Sequence, residues 1–238
     1  MKKLISLMLV IFMMTLLFVG CVRDSSNDDD DNAKVSETTL AQNNGGSNGG
    51  SNGGSNGGSN NKKAELSRGK ITGNVYKNDY MGFQFTKPES WVYSTDEEIA
   101  SALNLGADFM GEKFKQALEN NPSIYDMMVV DTITRTNINV GYENLAKTFS
   151  SNITEKQYAE ALKQQLASVS GMTVDFPDEF DKVKLGSTEF TRVVCPVTMQ
   201  GRSMTQVYYL KKVDGYMCFM VVTIQSGYTV SQIEAMFK

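Results

Sequence analysis

The tetrapeptide Gly-Gly-Ser-Asn repeats four times without interruption from Gly45 to Asn60. Such a run has no side chain to bury and a large backbone entropy to lose on ordering, so it cannot join a packed core. The residues leading into it from Val22 are acidic and polar, with Asp28 to Asp31 consecutive. A composition able to fold begins only near Ala64, which confines any domain to roughly the last 170 residues, enough for one core. As a Gly/Ser-type coil of about 45 residues, the polar stretch has an expected span of roughly 35–40 Å. The Ser-centred repeats also match G-x-S-x-G, yet a nucleophile elbow needs a strand-to-helix turn and a histidine base. The chain contains no histidine.

Ahead of the tether, Lys2 and Lys3 precede an apolar run from Leu4 to Val19. At ~1.5 Å per residue those positions reach about 24 Å, short of the ~30 Å hydrocarbon layer, which favours a signal peptide over a spanning helix. Leu17-Phe18-Val19-Gly20-Cys21 resembles the lipobox of bacterial lipoprotein signals. Phe18 departs from the usual leucine, and an ordinary signal peptide with Cys21 unmodified is the alternative. The expected organisation is a signal peptide over 1–21 with lipidation at Cys21, a disordered tether over 22–66, and one α+β domain over 67–238.

Charge and composition narrow the chemistry. Residues 62–238 hold 19 basic and 21 acidic side chains with no basic block, which argues against nucleic acid or an anionic membrane surface as partner. Without histidine, a Ser-His or Cys-His nucleophile pair and any His-based metal site are excluded within this chain. No metal site and no cofactor are expected.

Period-two runs with aromatics mark strands over Ile71–Lys77 and Met81–Lys87, with Asn78-Asp79 as the turn. Thr95-x-x-Glu98, Thr154-x-x-Gln157 and Thr229-x-x-Gln232 read as capping boxes that open helices. Ile124–Thr134 and Thr136–Val140 are further strands. Lys184–Met199, Ser203–Val213 and Tyr216–Gln225 form an antiparallel meander turned at Gln200-Gly201 and Asp214-Gly215. That register sets Cys195 opposite Gln206 and Cys218 opposite Lys211. The two cysteines then lie two strands apart on opposite faces, about 9.5 Å or more from one another, too far for a disulfide. Both faces of the meander are apolar, so both need cover, and helices on each side would give an α/β/α sandwich around an antiparallel sheet.

The stretch Tyr76 to Trp91, with Tyr80, Gly82-Phe83-Gln84-Phe85, Pro88 and Trp91, resembles the opening hairpin of PsbP-like domains. The closing meander and terminal helix are similar to theirs as well. These domains include a photosystem II extrinsic protein, a Ran-binding import factor and bacterial lipoproteins. The resemblance implies macromolecular binding and carries no shared catalytic residue.

Within the domain, Tyr76, Tyr80 and Tyr93 are the aromatics expected to stand exposed and to supply a binding surface. Trp91 is expected to pack under the first helix, with a ligand-anchoring role as the alternative. The carboxylates of Asp175–Asp181 read as a solvated loop rather than a calcium site, and the methionines as core filling. These readings converge on a surface-anchored, monomeric lipoprotein on the extracytoplasmic face of the cell membrane. It acts as a non-catalytic binding or accessory module for an envelope protein or polymer. A hydrolase using two carboxylates such as Glu97 and Asp131 is the alternative, and a purely structural spacer the third reading.

Overall fold

The computed structural model describes residues 65–111 and 113–238. Cys21, the expected signal peptide and residues 22–64 of the expected tether lie outside the described residues. Among the described residues, eleven strands form two antiparallel sheets. The small one comprises β1 (Lys70–Thr72), β2 (Val75–Asn78) and β3 (Phe83–Thr86), in that order. The large one contains β4 (Trp91–Tyr93), β5 (Ser123–Asp131), β6 (Asn137–Asn144), β7 (Met172–Val174), β8 (Asp181–Leu185), β9 (Thr188–Met199), β10 (Arg202–Val213) and β11 (Tyr216–Ile224). Its order is β4-β5-β6-β11-β10-β9-β7, and β8 pairs with β9 beyond the reach of β7. The helices are α1 (Asp96–Ala102), α2 (Phe114–Asn120), α3 (Leu145–Thr148), α4 (Glu155–Ala167) and α5 (Val230–Glu234).

The meander follows the expected register. Cys195 stands opposite Gln206, Cys218 opposite Lys211, and both thiols are buried and free. Burial pushes the Cys195 thiol up to about 12, with the nearby Asp175 adding to it, so neither packing nor charge favours a reactive thiolate. The β9–β10 turn is two residues, Gln200 at φ 50° and Gly201 at φ 77°, the left-handed pair that a twisted hairpin requires. The three capping boxes close as expected, at Thr95, Thr154 and Thr229.

Cover of the large sheet differs from the expected sandwich. One face packs Tyr158, Leu162 and Leu166 of α4 and Ile99 of α1 against Val193, Cys195, Tyr208, Phe219 and Val221. The other face, with Val129, Ile138, Val140, Val207, Tyr209, Met220 and Val222, is roofed by Tyr76, Phe83 and Phe85 of the small sheet. Phe114 and Leu118 of α2 and Ile233 of α5 flank that roof. The second sheet takes the place of a helix layer because the opening hairpin has its own apolar face: Tyr76 pairs with Phe85 and Asn78 with Phe83. Trp91 belongs to this side, not beneath α1. It stacks near Phe85 and Tyr228 and donates its Nε1 hydrogen to the Tyr228 hydroxyl at 3.0 Å.

The far edge of the small sheet is closed by the chain's last residues. Gln84 and Lys238 exchange both backbone bonds at 2.8 Å, and the Thr86 N–H donates to the Met236 carbonyl at 3.0 Å.

Candidate functional site

Three polar constellations interrupt the two apolar layers, and their differing degrees of closure decide which can serve a ligand. The first is built on a bulge. Tyr125 pairs with Gly141 and Met127 with Val140, so Asp126 is an extra residue in β5. A bulge re-aims a side chain. Here Asp126 and Met127 both turn toward the small sheet, and the Asp126 carboxylate is buried among donors. It accepts from Arg68 Nε at 3.0 Å, the Gly69 N–H at 2.8 Å, the Tyr76 hydroxyl at 2.6 Å and Asn78 Nδ2 at 3.0 Å. Arg68 also forks onto Asp96 at the start of α1, with two contacts of 2.8 Å, and donates to the Met110 carbonyl. Asn78 reaches the Tyr142 hydroxyl at 2.7 Å. Burial pushes the Asp126 carboxyl up, against the opposing pull of the Gly69 N–H, the Tyr76 hydroxyl and the Arg68 guanidinium. Every member is engaged by protein, so this network joins the segment before β1 to the sheet and leaves nothing to offer a ligand.

The second lies on the α4 side. Glu143 is buried in β6 and accepts from the Tyr158 hydroxyl of α4. Burial pushes its carboxyl up, and the hydroxyls of Thr148 and Tyr158 offset this only in part. A carboxyl raised in the folded state favours folding fully below its unfolded value of about 4.5, and that contribution is lost as pH rises through the raised value. Glu143→Gln keeps an acceptor for Tyr158 and removes the charge. It should match the parent near pH 4 and exceed it by about 1–3 kcal/mol near pH 8. That is about 2–4 °C in Tm per kcal/mol, read by thermal unfolding across the range. An unchanging difference from pH 4 to 8 would assign the effect to packing instead.

The third is open. A groove of about 560 Å³ runs between α1 and the large sheet, within the ~300–1,000 Å³ common for small-molecule sites. Ser94, Glu97, Glu98, Ser101 and Ala102 form one wall, Met128, Val130, Asn137 and Asn139 the floor, with the Val129 backbone between them, and Arg135 of the β5–β6 turn the far end. Strand pairing explains the floor. Val92, Val130, Asn137, Thr223 and Gln206 lie level across five adjacent strands, and partners directly opposite point to one face. Val92, 53% exposed, carries that face on to the edge of the sheet. Asn137 and Asn139 are both buried, on a face that also buries Gln206 and Thr223 among its aliphatic and aromatic side chains.

The residues expected to bind fall elsewhere. Tyr76 is 1% exposed and Tyr80 6%, a correction to their expected exposure. Tyr76 feeds the Asp126 network, and the Tyr80 hydroxyl reaches Asp214 Oδ2 at 3.1 Å. Tyr93 is half-buried, with its hydroxyl on the Asn74 carbonyl at 3.1 Å and Lys87 above its ring. The pairing of Tyr76 with Phe85 is the signal that marks it as inward, since residues opposite one another share a face. Glu97 lines the groove and Asp131 does not. The Asp131 carboxylate instead ties its turn, accepting from the Thr134 hydroxyl at 2.6 Å and the Ile133 N–H at 3.2 Å. Burial raises its pKa, but these bonds prevail and hold it below the usual carboxylate range. Asn137, Asn139 and Arg135 are the groove residues that the sequence reading missed. In the acidic loop, Asp178 pairs with Lys163 and Asp181 with Arg192.

Among the described residues no helix is long and apolar enough to cross a membrane. No family model matches the chain, and no curated protein sequence matches it significantly. Among solved structures, the chain is similar to cyanobacterial PsbP (CyanoP) from Synechocystis sp. PCC 6803. The identity is 12%, over 78% of this chain and 97% of that one, with a TM-score of 0.40. A likeness at that identity and score assigns no activity.

Proposed function

We propose that this chain is a lipid-anchored, extracytoplasmic binding module that displays its α/β groove beyond the membrane on the 22–66 tether. Cys21 carries the lipid, and the domain over 67–238 is monomeric, non-catalytic and PsbP-like in the sense of its opening hairpin. The observation that carries the reading is the open groove floored by Asn137 and Asn139 and walled by Glu97. The carboxyls with raised pKa values, Asp126 and Glu143, are buried in the core. Asp131 serves its own turn. This distribution supports capture of a small ligand or a segment of an envelope polymer over hydrolysis by a Glu97–Asp131 pair.

Two experiments test the proposal. Ser101 is exposed on the groove wall, so Ser101→Trp fills the groove from the surface and should leave Tm unchanged. Pull-down from native envelope with the full-length chain should fall at least tenfold with this variant, and undiminished capture would remove the groove from the function. Separately, Cys21→Ser should move the protein from the membrane fraction to the soluble one; persistence at the membrane would overturn the anchor.

A further inference from the structure

The groove's hydrogen-bonding character follows from one backbone carbonyl. Asn137 donates its amide nitrogen to the Arg135 carbonyl oxygen at 3.3 Å. That oxygen can only accept, so Asn137 must present its NH2 there and its Oδ1 in the opposite direction. Asn139 in turn donates Nδ2 to Asn137 Oδ1 at 3.3 Å. The ladder therefore has a direction and ends on Asn139, a groove-lining side chain only 2% exposed whose carbonyl oxygen accepts and whose second amide N–H donates. An amide flip at either residue would place NH2 against NH2 or oxygen against oxygen.

The wall carries acceptors. Glu97 stands exposed along α1, and Glu98 uses one oxygen to accept the Thr95 N–H at 2.8 Å. Two carboxylates on the wall against the one guanidinium of Arg135 at the far end leave the lining net acidic, so beside Glu97 the groove favours a cationic donor. Met128 and Val130 between them provide an apolar patch against which the face of a sugar ring can rest.

We infer that the groove recognises an amino sugar, its ammonium at Glu97 and a ring hydroxyl at the Asn139 carbonyl. This rests on the binding-module reading above and gives its ligand a chemical class. The size of the groove suits a disaccharide.

The test uses the full-length protein and three β-1,4-linked disaccharides, of glucosamine, N-acetylglucosamine and glucose, which differ only at C2. Titration calorimetry should show the glucosamine form binding at least tenfold tighter than the other two. Glu97→Gln, a surface change, should narrow that gap to about threefold or less, and Ser101→Trp should abolish binding. Equal binding of all three, or an unchanged gap in Glu97→Gln, overturns the inference. So does a lysine amide that binds as tightly as the glucosamine disaccharide, because the ammonium alone would then suffice. If none of the sugars binds while Ser101→Trp still impairs envelope capture, the amino-sugar assignment falls and the binding module stands. If Ser101→Trp is also without effect on capture, both fall.

Discussion

Replacing Asp126 with alanine should lower the unfolding free energy by about 3–5 kcal/mol, the expected cost of removing one partner from a buried ion pair. The loss has several parts. Arg68 keeps its exposed partner Asp96 but loses the buried one, at side-chain exposures of 47% and 0%. The Gly69 N–H and the Tyr76 hydroxyl lose the acceptor they share. Asp126→Asn, which preserves shape and removes the charge, should cost less than the alanine change. Denaturant unfolding read with a double-mutant cycle over Arg68→Met and Asp126→Leu separates the terms. The apolar pair should recover much of what either single change loses, because the penalty lies in the stranded partner. A loss below about 1 kcal/mol for Asp126→Ala would mean that water replaces the carboxylate at little cost.

Trp91→Ala should be comparably severe, at about 3–5 kcal/mol. The side chain is fully buried between the two sheets, against Phe85 and Tyr228, and its indole N–H is bonded. Truncation leaves a large cavity and an unpaired Tyr228 hydroxyl. Trp91→Phe retains most of the volume, so equilibrium unfolding should give a loss of about 1–3 kcal/mol, set by the missing hydrogen bond. In Tyr228→Phe the difference between Trp and Phe at 91 should shrink. If Trp91→Ala cost less than about 1.5 kcal/mol, the site would be one that collapses readily, and the roof would be less tightly packed than its contacts imply.

The parts of the fold legible in the sequence are those governed by neighbours in the chain. The closing meander has short turns and strict alternation, so turn chemistry alone set the register of Cys195 and Cys218 and the membership of both faces. Capping boxes are likewise local. Two expected strands proved to be hairpins: Ile71–Lys77 turns at Gly73-Asn74, and Lys184–Met199 turns at Gly186-Ser187. In both, a Gly-Asn or Gly-Ser pair that signals a two-residue hairpin turn stood inside a run of β-formers, and its glycine has φ above +55°.

The candidate site was less legible, for a physical reason. The Asp126 bulge exists only relative to its partner strand, and nothing in Tyr125-Asp126-Met127 distinguishes it from regular alternation. In β6, Asn137, Asn139, Gly141 and Glu143 alternate with Ile138, Val140 and Tyr142, which on its own resembles an edge strand wet on one side. β6 is interior, between β5 and β11, so that polar row is covered: Asn137 and Asn139 line the groove, Gly141 lies against Phe219, and Glu143 is buried on Tyr158. Only tertiary position turns Asn137 and Asn139 from solvent-facing into groove-lining.

The backbone exchange between Gln84 and Lys238 gives the segment Met236–Lys238 a consequence for the lifetime of the protein. Cleavage before Met236 would strip β3 of its outer partner. It would also remove Phe237, which packs on both Phe83 and Phe85. The trimmed molecule would present a raw strand margin, the kind of surface on which chains stack against one another. Loss of so short a tail would thus show first as ageing toward insoluble material, with the groove on the opposite face of the large sheet still formed.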